Sequence, residues 1–534
     1  MQTSWLVLIP PVLVVFLAIL TRRIVFSLSV SIISAALILH DFQLKPALTT
    51  VCSRIWNATE LGYLISWSSF WSAWYLFICL FLIVLGIIIV LINRTGGAFA
   101  YGRFIVSKLH SAKNAEIATV IMSHLFFVDD YFGSLTVGSV MQPITDQFKV
   151  PRVKLALLIN AIAAPLAVLS PISSWSADIV MQLRQSGIST VAHEGTLFLA
   201  DPFCVYLVSI AFLAYAYLML TSIWLAVKTK IPYGVVAQHE QEAQRTGNLF
   251  GGKIPVAGSI KVADKEQIAT STVWDFLLPL ATLFVAVFVG IIVLGFGRIP
   301  IALFIGSCCS LFVALIYFFI RKKLAISSLP SLVYEGAMLM LPSIMVLVLI
   351  WTLSALLKND LQTGKYLASV LIDHMNIAVF PAMFFMLATL ISATMGSAWG
   401  TIGLLIPIAV PMLTSFYSGF GMLTPDQALV LFPLVAAIVS GAVAGNHLSP
   451  IADIMVLSSA SAGAYHFDLV KAQMAFAIPV IIASIISFLF SGFIIQQCGI
   501  FMTACTSLVV GNVVVVAIHI LRLFCHNRSN IADK

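Results

Sequence analysis

The chain alternates long apolar runs with short clusters of charge. Runs long enough to cross a hydrocarbon layer of ~30 Å lie near residues 5–20, 24–39, 74–92, 155–180, 203–227, 273–297, 300–320, 332–357, 428–457, 474–495 and 499–521. Two further apolar stretches, 115–148 and 376–413, are long but interrupted by Gly, Pro, Ser and polar groups. Each is expected to form a helical hairpin that enters and leaves on the same side. Residues 54–72 and 96–112 are less apolar and are expected along the interface. The polar segment 228–272 is too short for a domain and reads as a linker. The pattern predicts an all-α polytopic membrane protein with two re-entrant helical hairpins and interrupted transmembrane helices.

Charge orients this scheme, because Lys and Arg resist translocation. With the N-terminus outside and both hairpins re-entrant, the outside holds only Lys45, Arg54, Arg184, Arg298, Lys358 and Lys365 of the 28 Lys and Arg residues. A hairpin that crossed fully would move every later loop to the other side and erase the asymmetry. The expected division is 1–72, N-terminal spans and an interfacial segment; 73–227, a first repeat with the inside-facing hairpin; and 228–272, a cytoplasmic linker. Residues 273–498 then form a second part with the outside-facing hairpin, and 499–534 an extra C-terminal span with a basic, cytoplasmic tail.

Composition agrees: 61% of the 534 residues are hydrophobic and 9% charged, against about 25% charged in soluble domains, and the mean hydropathy is +1.07. The net charge of +7 is read as basic loops facing anionic lipid and not as a nucleic-acid surface. The eight cysteines (52, 79, 204, 308, 309, 498, 505 and 525) form no CxxC pair and are expected as small residues of the membrane core. The first twenty residues lack a basic leader, and Arg22 and Arg23 follow them, so they read as an uncleaved span.

The four residues LSPI occur at 169–172 and at 448–451, each soon followed by ADI, at 177–179 and 452–454. Upstream of each lies a Gly-Ser pair, Gly133-Ser134 and Gly396-Ser397, placed at a hairpin tip. The order repeats while the predicted orientation reverses, which describes an inverted-topology repeat. Such architectures put their site at mid-membrane on broken helices. Pro171 and Pro450 cannot donate a backbone hydrogen bond and free carbonyls one turn earlier. At membrane depth these oxygens are tolerated only where protein or water satisfies them, and they suit a hard cation such as Na⁺.

The sharpest polar signal is HLFFVDDYFGS, with adjacent Asp129 and Asp130 inside an apolar stretch. An acid at mid-membrane costs roughly 2.5–3.5 kcal/mol on insertion scales. A carboxyl group in a low dielectric also holds its proton more readily, so proton and cation can compete for it near neutral pH. Two solvated acids at an interfacial tip are the structural alternative. The second signal is GAVAGNHLSPIADI, which offers Asn446, His447, Ser449, Pro450 and Asp453; a capping Asn and a satisfied core His are its structural reading. In the first half, Ser170, Ser173, Ser174, Trp175 and Asp178 match it. SATMGSAWGT supplies Ser397 and Trp399 at the second tip, although both tryptophans equally suit interfacial anchors. Asn160 is expected to hydrogen-bond across helices, and Asp275, Glu335 and Asp360 are expected at span ends. No GxxxxGK[ST], HExxH or nucleophile-elbow motif occurs, so neither an ATP-driven pump nor an enzyme is expected.

The stretches FVDDYFGSLTVGSVMQPITDQFKVPRVKLA and GAVAGNHLSPIADIMVLSSASAGAYHFDLVKAQMAFA resemble the two signature regions of the NhaC-type sodium/proton antiporters of the ion-transporter superfamily. The resemblance runs from about residue 74 to about 496. It implies inverted repeats and exchange of Na⁺ for H⁺ without a cofactor. By motif position it gives site roles to Asp129, Asp130, Ser170, Pro171, His447, Ser449, Pro450 and Asp453, with Na⁺ at Asp129, Asp130 and Asp453. The chain departs from that pattern at Gly133-Ser134, where Asn-Thr is usual, at Asn446, where an acid is common, and at Ala452 and Ile454, where hydroxyl residues are common. These departures leave room for a second expectation, an Na⁺- or H⁺-coupled carrier of a small organic anion or amino acid. A multi-pass protein of the cell inner membrane is expected, and a homodimer is allowed.

Overall fold

The computed structural model describes residues 5–21, 23–65, 70, 71, 73–97, 100, 101, 104, 111–229, 234–254, 270–295, 298–363, 366, 370, 376–417 and 421–532. Much of the predicted interfacial segment 96–112 and of the linker 228–272 therefore lies outside the described residues. The first long helices are α1 (Ile9–Thr21), α2 (Ile24–Leu39), α3 (Leu44–Thr59) and α4 (Trp74–Arg94). α3 begins ten residues before the interfacial segment predicted at 54–72. Among the described residues nine helical runs are long and apolar enough to cross a membrane. A bent pair, Ile326–Leu341 and Ile344–Asp360 at 41°, makes a tenth. The protein is a multi-pass, all-α membrane protein.

Both predicted hairpins are pairs of helices. α5 (Ala112–Leu125) and α6 (Asp130–Gln147) form the first. The start of α5 and the end of α6 both lie by the start of the next helix, where Lys154 bonds Glu116 at 2.7 Å and Arg152 bonds Asp146 at 2.7 Å. Both Ser-Pro spans are broken: α7 (Arg152–Leu169) gives way to α8 (Ser174–Gln185) across Ser170–Ser173. Beyond α8, a two-stranded parallel pair (Ile188–Ser189 with Phe198–Leu199) closes a loop. The predicted span 203–227 falls within one of the nine spanning runs. It too is broken, into α9 (Pro202–Ile210) and α10 (Ala214–Thr229), at Ala211–Leu213, which contain neither Pro nor Gly. Helix α11 (Gly234–Thr246) follows in the linker.

In the second half α12 (Trp274–Leu294), α13 (Ile299–Ile320) and α14 (Leu329–Ala355) precede the second hairpin, α15 (Phe380–Met395) and α16 (Ala398–Ser415). The second break separates α17 (Leu431–Leu448) from α18 (Asp453–Ala462). The last helix, α19 (His466–Ala532), kinks at Gly499, whose φ of 71° places it in the left-handed region open to glycine.

Burial divides the bundle. α16 and α17 are 89% and 94% buried along their apolar windows, whereas α12 and α13 are only 28% and 33% buried. The exposed side chains of the latter pair include Val285, Phe288, Ile292, Phe312 and Ile320. Without water-compatible groups, such a face suits lipid. α17 reaches its depth because Gly441 and Gly445 let the backbone of α15 approach; a Cβ on either would come within 2.4 Å of a carbonyl oxygen, Phe385 O or Thr389 O. Of the seven described cysteines five are exposed, while Cys79 and Cys308 are half-buried and Cys79 packs against the core. Asp275, Glu335 and Asp360 are held by Lys323 and Arg321, by Arg94 and by Arg54 respectively.

Candidate functional site

Two hairpin tips and two helix breaks converge in the interior. At the first tip the chain turns over Phe126–Asp129, and the Asp129 carbonyl accepts the first helical bond from Gly133 N at 3.0 Å. Asp129 therefore takes the capping position of α6, which suits an acid at a helix N-terminus. This corrects the placement of the tip at Gly133-Ser134. Gly133 breaks nothing; it lies in the first turn of α6, where a Cβ would crowd Phe126 at 3.3 Å. Gly396 does break its helix, with φ at 69° after α15, and Ser397 caps α16 by accepting from Gly400 N at 3.1 Å.

The first tip touches both breaks. Asp129 Oδ2 accepts from the Ser174 hydroxyl at 2.8 Å, and Ser174 N donates to Val128 O at 3.0 Å. Across the halves, the Tyr131 hydroxyl donates to Asp453 Oδ2 at 3.2 Å. The second tip does the same in mirror order. Gly396 faces its own break, since a Cβ there would meet Ile451 at 2.7 Å, while Trp399 packs on Trp175 of the first break with ring centroids 5.1 Å apart. Trp175 and Trp399 are thus core residues between the halves and not interfacial anchors. Below the tips α6 and α18 meet closely: Ser461 Oγ donates to Ser134 O at 2.8 Å, and Gly138 makes room for it.

Asp129 and Asp130 are each 2% exposed. Asp130 and Asp453 are the first residues of α6 and α18, where the helix dipole favours a negative group. Several buried polar atoms make no hydrogen bond to protein, among them Asp130 Oδ1, Ser134 Oγ, Asn446 Oδ1 and Ser449 Oγ. Native interiors rarely leave such atoms unpaired. Among the described residues no three His, Cys, Asp or Glu side chains converge to hold one metal ion. Asp129, Asp130 and Asp453 therefore do not form a three-carboxylate cage.

His447 is placed differently from its sequence neighbours. Its Nε2 lies 3.1 Å from Asn160 O, which can only accept, so Nε2 carries the hydrogen; Nδ1 lies 2.9 Å from the Tyr215 hydroxyl. The ring is satisfied on both sides and turned toward α7 and α10. Asn160 also accepts from Ser458 at 3.4 Å and so bonds across helices. Asp178 sits further along α8, accepting from Gln182 Nε2 at 3.2 Å and Trp351 Nε1 at 3.3 Å. Tyr131, Tyr215 and Trp351 are the partners that sequence reading missed. Their only signal is a hydrogen-bonding aromatic deep within an apolar run.

Comparison with known proteins fits this architecture. The chain is similar over 85% of its length to Neisseria gonorrhoeae MtrF, of a class described as antimetabolite efflux pumps, with a TM-score of 0.51, 15% identity and 85% of that chain covered. A second solved structure, the YdaH transporter of Alcanivorax borkumensis, gives a TM-score of 0.49 at 13% identity, covering 85% of this chain and 89% of the other. The fold is that of a membrane transporter. The Na⁺/H⁺ antiporter family matches residues 199–493, more than half of the chain. The chain belongs to the Na⁺/H⁺ antiporter family, and it is a secondary transporter, not an enzyme. An uncharacterised protein of Haemophilus influenzae is 26% identical over 525 residues, covering 94% of each chain.

Proposed function

We propose that this transporter exchanges Na⁺ for H⁺ across the cell inner membrane as an NhaC-type antiporter, with its N-terminus outside and its C-terminus cytoplasmic. The observation that carries this reading is the meeting of acids from the two halves at paired helix starts: Asp130 is buried, Asp453 is open to solvent, and Tyr131, the residue after Asp130, donates to Asp453. One proton or one Na⁺ occupies an acid at a time. Asp129, Asp130 or Asp453 supplies the charge, and Ser134, Ser449 and freed carbonyls complete the cation's oxygen shell. Ser170, Ser173 and Ser397 hold the breaks and the second tip, while Asn446 lines the site from the second half, with His447 behind it bonded to Asn160 and Tyr215, and Asp178 lines it from the first. The units 73–227 and 273–498, each with one re-entrant hairpin (115–148 and 376–413) and one interrupted span, move against each other around this site. Segment 228–272 is their cytoplasmic linker, 1–72 and 499–534 are additions, and the protein pairs as a homodimer.

A second reading has its own support. α8 and α16 start at the site without an acid in their first turn, leaving two positive helix ends that would attract a carboxylate. Asn446 in place of an acid favours the same outcome, as does the likeness to an antimetabolite pump. This reading is an ion-coupled carrier of a small organic anion or amino acid. Reconstitution in vesicles holding a pH-sensitive dye decides between them. Proton movement on adding Na⁺, with no uptake of labelled carboxylates, is expected; accumulation of a carboxylate without Na⁺-dependent proton flux replaces the first reading with the second.

A further inference from the structure

One polar feature of α8 starts at Asp178 and runs on beyond the site. Asp178, Gln182 and Gln185 stand at i, i+4 and i+7 and so form one stripe along a short helix. Asp178 is 1% and Gln182 0% exposed. Gln182 Nε2 is spent on Asp178, while Gln182 Oε1 has no protein partner. Gln185 repeats the arrangement: its Nε2 donates to the Tyr75 hydroxyl and its Oε1 has no protein partner. Trp351 ties the stripe to α4, donating to Asp178 and packing on the Tyr75 ring with centroids 4.7 Å apart. Tyr75 N in turn donates to Glu60 Oε2 at 2.7 Å. Glu60, with Trp56, Asn57, Gly62 and Tyr63, lines an open cavity of about 330 Å³.

The stripe thus runs along α8 from one turn past the helix break at Ser170–Ser173 and, through Tyr75 and Glu60, toward a surface cavity. The break lies at its inner end and Glu60 at its mouth. Amide oxygens at this depth, each with two lone pairs and no protein donor, are satisfied by water. A packed apolar helix would need no glutamines facing inward. The charged groups at the mouth are Glu60 and Arg184, and Arg184 is stacked on the Trp74 ring at 3.8 Å. They offset each other, so the entrance presents no strong barrier to a cation.

We propose that this seam is a hydrated access path along which protons, carried on water, reach Asp178 and the break from the outer cavity. The ion that uses the path rests on the exchange reading above; the hydration of the seam does not. Radiolytic hydroxyl-radical footprinting of the intact wild-type protein tests it, because X-rays convert bound water into hydroxyl radicals that oxidise the side chains beside it. Trp351 and Tyr206 are both 0% exposed. Corrected for intrinsic reactivity, Trp351 is expected to be oxidised several-fold faster than Tyr206, and Gln182→Leu to bring it down to the Tyr206 level. Trp351 protection equal to that of Tyr206 in the wild type overturns the proposal without any variant, as does a Trp351 rate that Gln182→Leu leaves unchanged. In vesicles that show Na⁺-dependent proton flux, Gln182→Leu should lower the maximal rate and leave the KM for Na⁺ in place. A protein with no such flux would remove the exchange reading while the footprint still decided the seam.

Discussion

The two Ser-Pro breaks share four letters of sequence but not their bonding. In the first, the serine hydroxyls and the carbonyls of Ala167 and Val168 are taken. Ser173 Oγ donates to Ala167 O at 2.7 Å and accepts from Ser176 N at 3.1 Å, Ser176 returns a bond to the Ser173 backbone, and Val168 O accepts from Tyr206 at 2.6 Å. In the second, Ala452 stands at the helix start and has no capping group. Ser449 Oγ and Asn446 Oδ1 have no protein partner; Asn446 O and Ser449 O accept only the long local bonds from Ser449 N and Ala452 N, and Pro450 O is bonded by His466 at 2.6 Å. The same proline opens both helices; the neighbours decide whether the opening is closed again. A site that binds and releases an ion needs groups left unspent, so the second break is the adaptable one and the first is its fixed counterpart.

The largest effect expected of this difference falls on transport. Asp453→Asn keeps an acceptor for Tyr131 and so preserves the packing, yet it removes the charge at the adaptable break. Exchange in vesicles should drop to background with little change in melting temperature, and Asp130→Asn should match it. Wild-type exchange by either variant would detach the acids from the transport cycle.

The serines separate the two roles more finely. Ser173→Ala removes a helix cap and strands Ala167 O, at a cost of about 1–2 kcal/mol; the melting temperature should fall while the KM for Na⁺ holds. Ser449→Ala removes a hydroxyl that contributes nothing to the resting fold, so stability should hold and the KM for Na⁺ should rise. The reverse pattern would mean that the fixed and adaptable breaks have been assigned the wrong way round.

Much of this arrangement was legible because breaking an apolar helix takes unusual residues. Pro171, Pro450 and Gly396 stand out in apolar runs, and the buried acids at 129 and 130 are too costly there to be incidental. The break at Ala211–Leu213 carries no such mark. It comes from tertiary packing that sets Tyr206 against the first break and Tyr215 against His447. The first tip was misplaced for a related reason: Gly133 looked like the turn, but the cap was Asp129 itself. His447 and Asp453 lie six residues apart, which suggested a shared site. The break between them sends the histidine to Asn160 and Tyr215 and the acid to Tyr131, a divergence that spacing along the chain does not encode.

The smallest effect concerns the frame that holds the fixed half. α4, against which the α8 stripe packs, has no side-chain cap of its own. Glu60, outside the spans, reaches its first turn and accepts from Tyr75 N at 2.7 Å and Leu76 N at 3.4 Å. Burial pushes the Glu60 carboxyl above its ordinary value of 4.5, and the helix N–H groups and Arg184 only partly offset this. A raised acid favours the fold most when neutral. Its contribution is therefore complete below the unfolded-state value and is lost as pH rises through the higher folded-state value. Thermal unfolding in detergent should show a modest decline in stability across that window. Glu60→Gln keeps an acceptor for Tyr75 N and fixes the neutral form, so the decline should disappear. An identical slope in the variant would place the titration elsewhere and leave α4 independent of Glu60, so that the fixed break would owe its rigidity to its own serines.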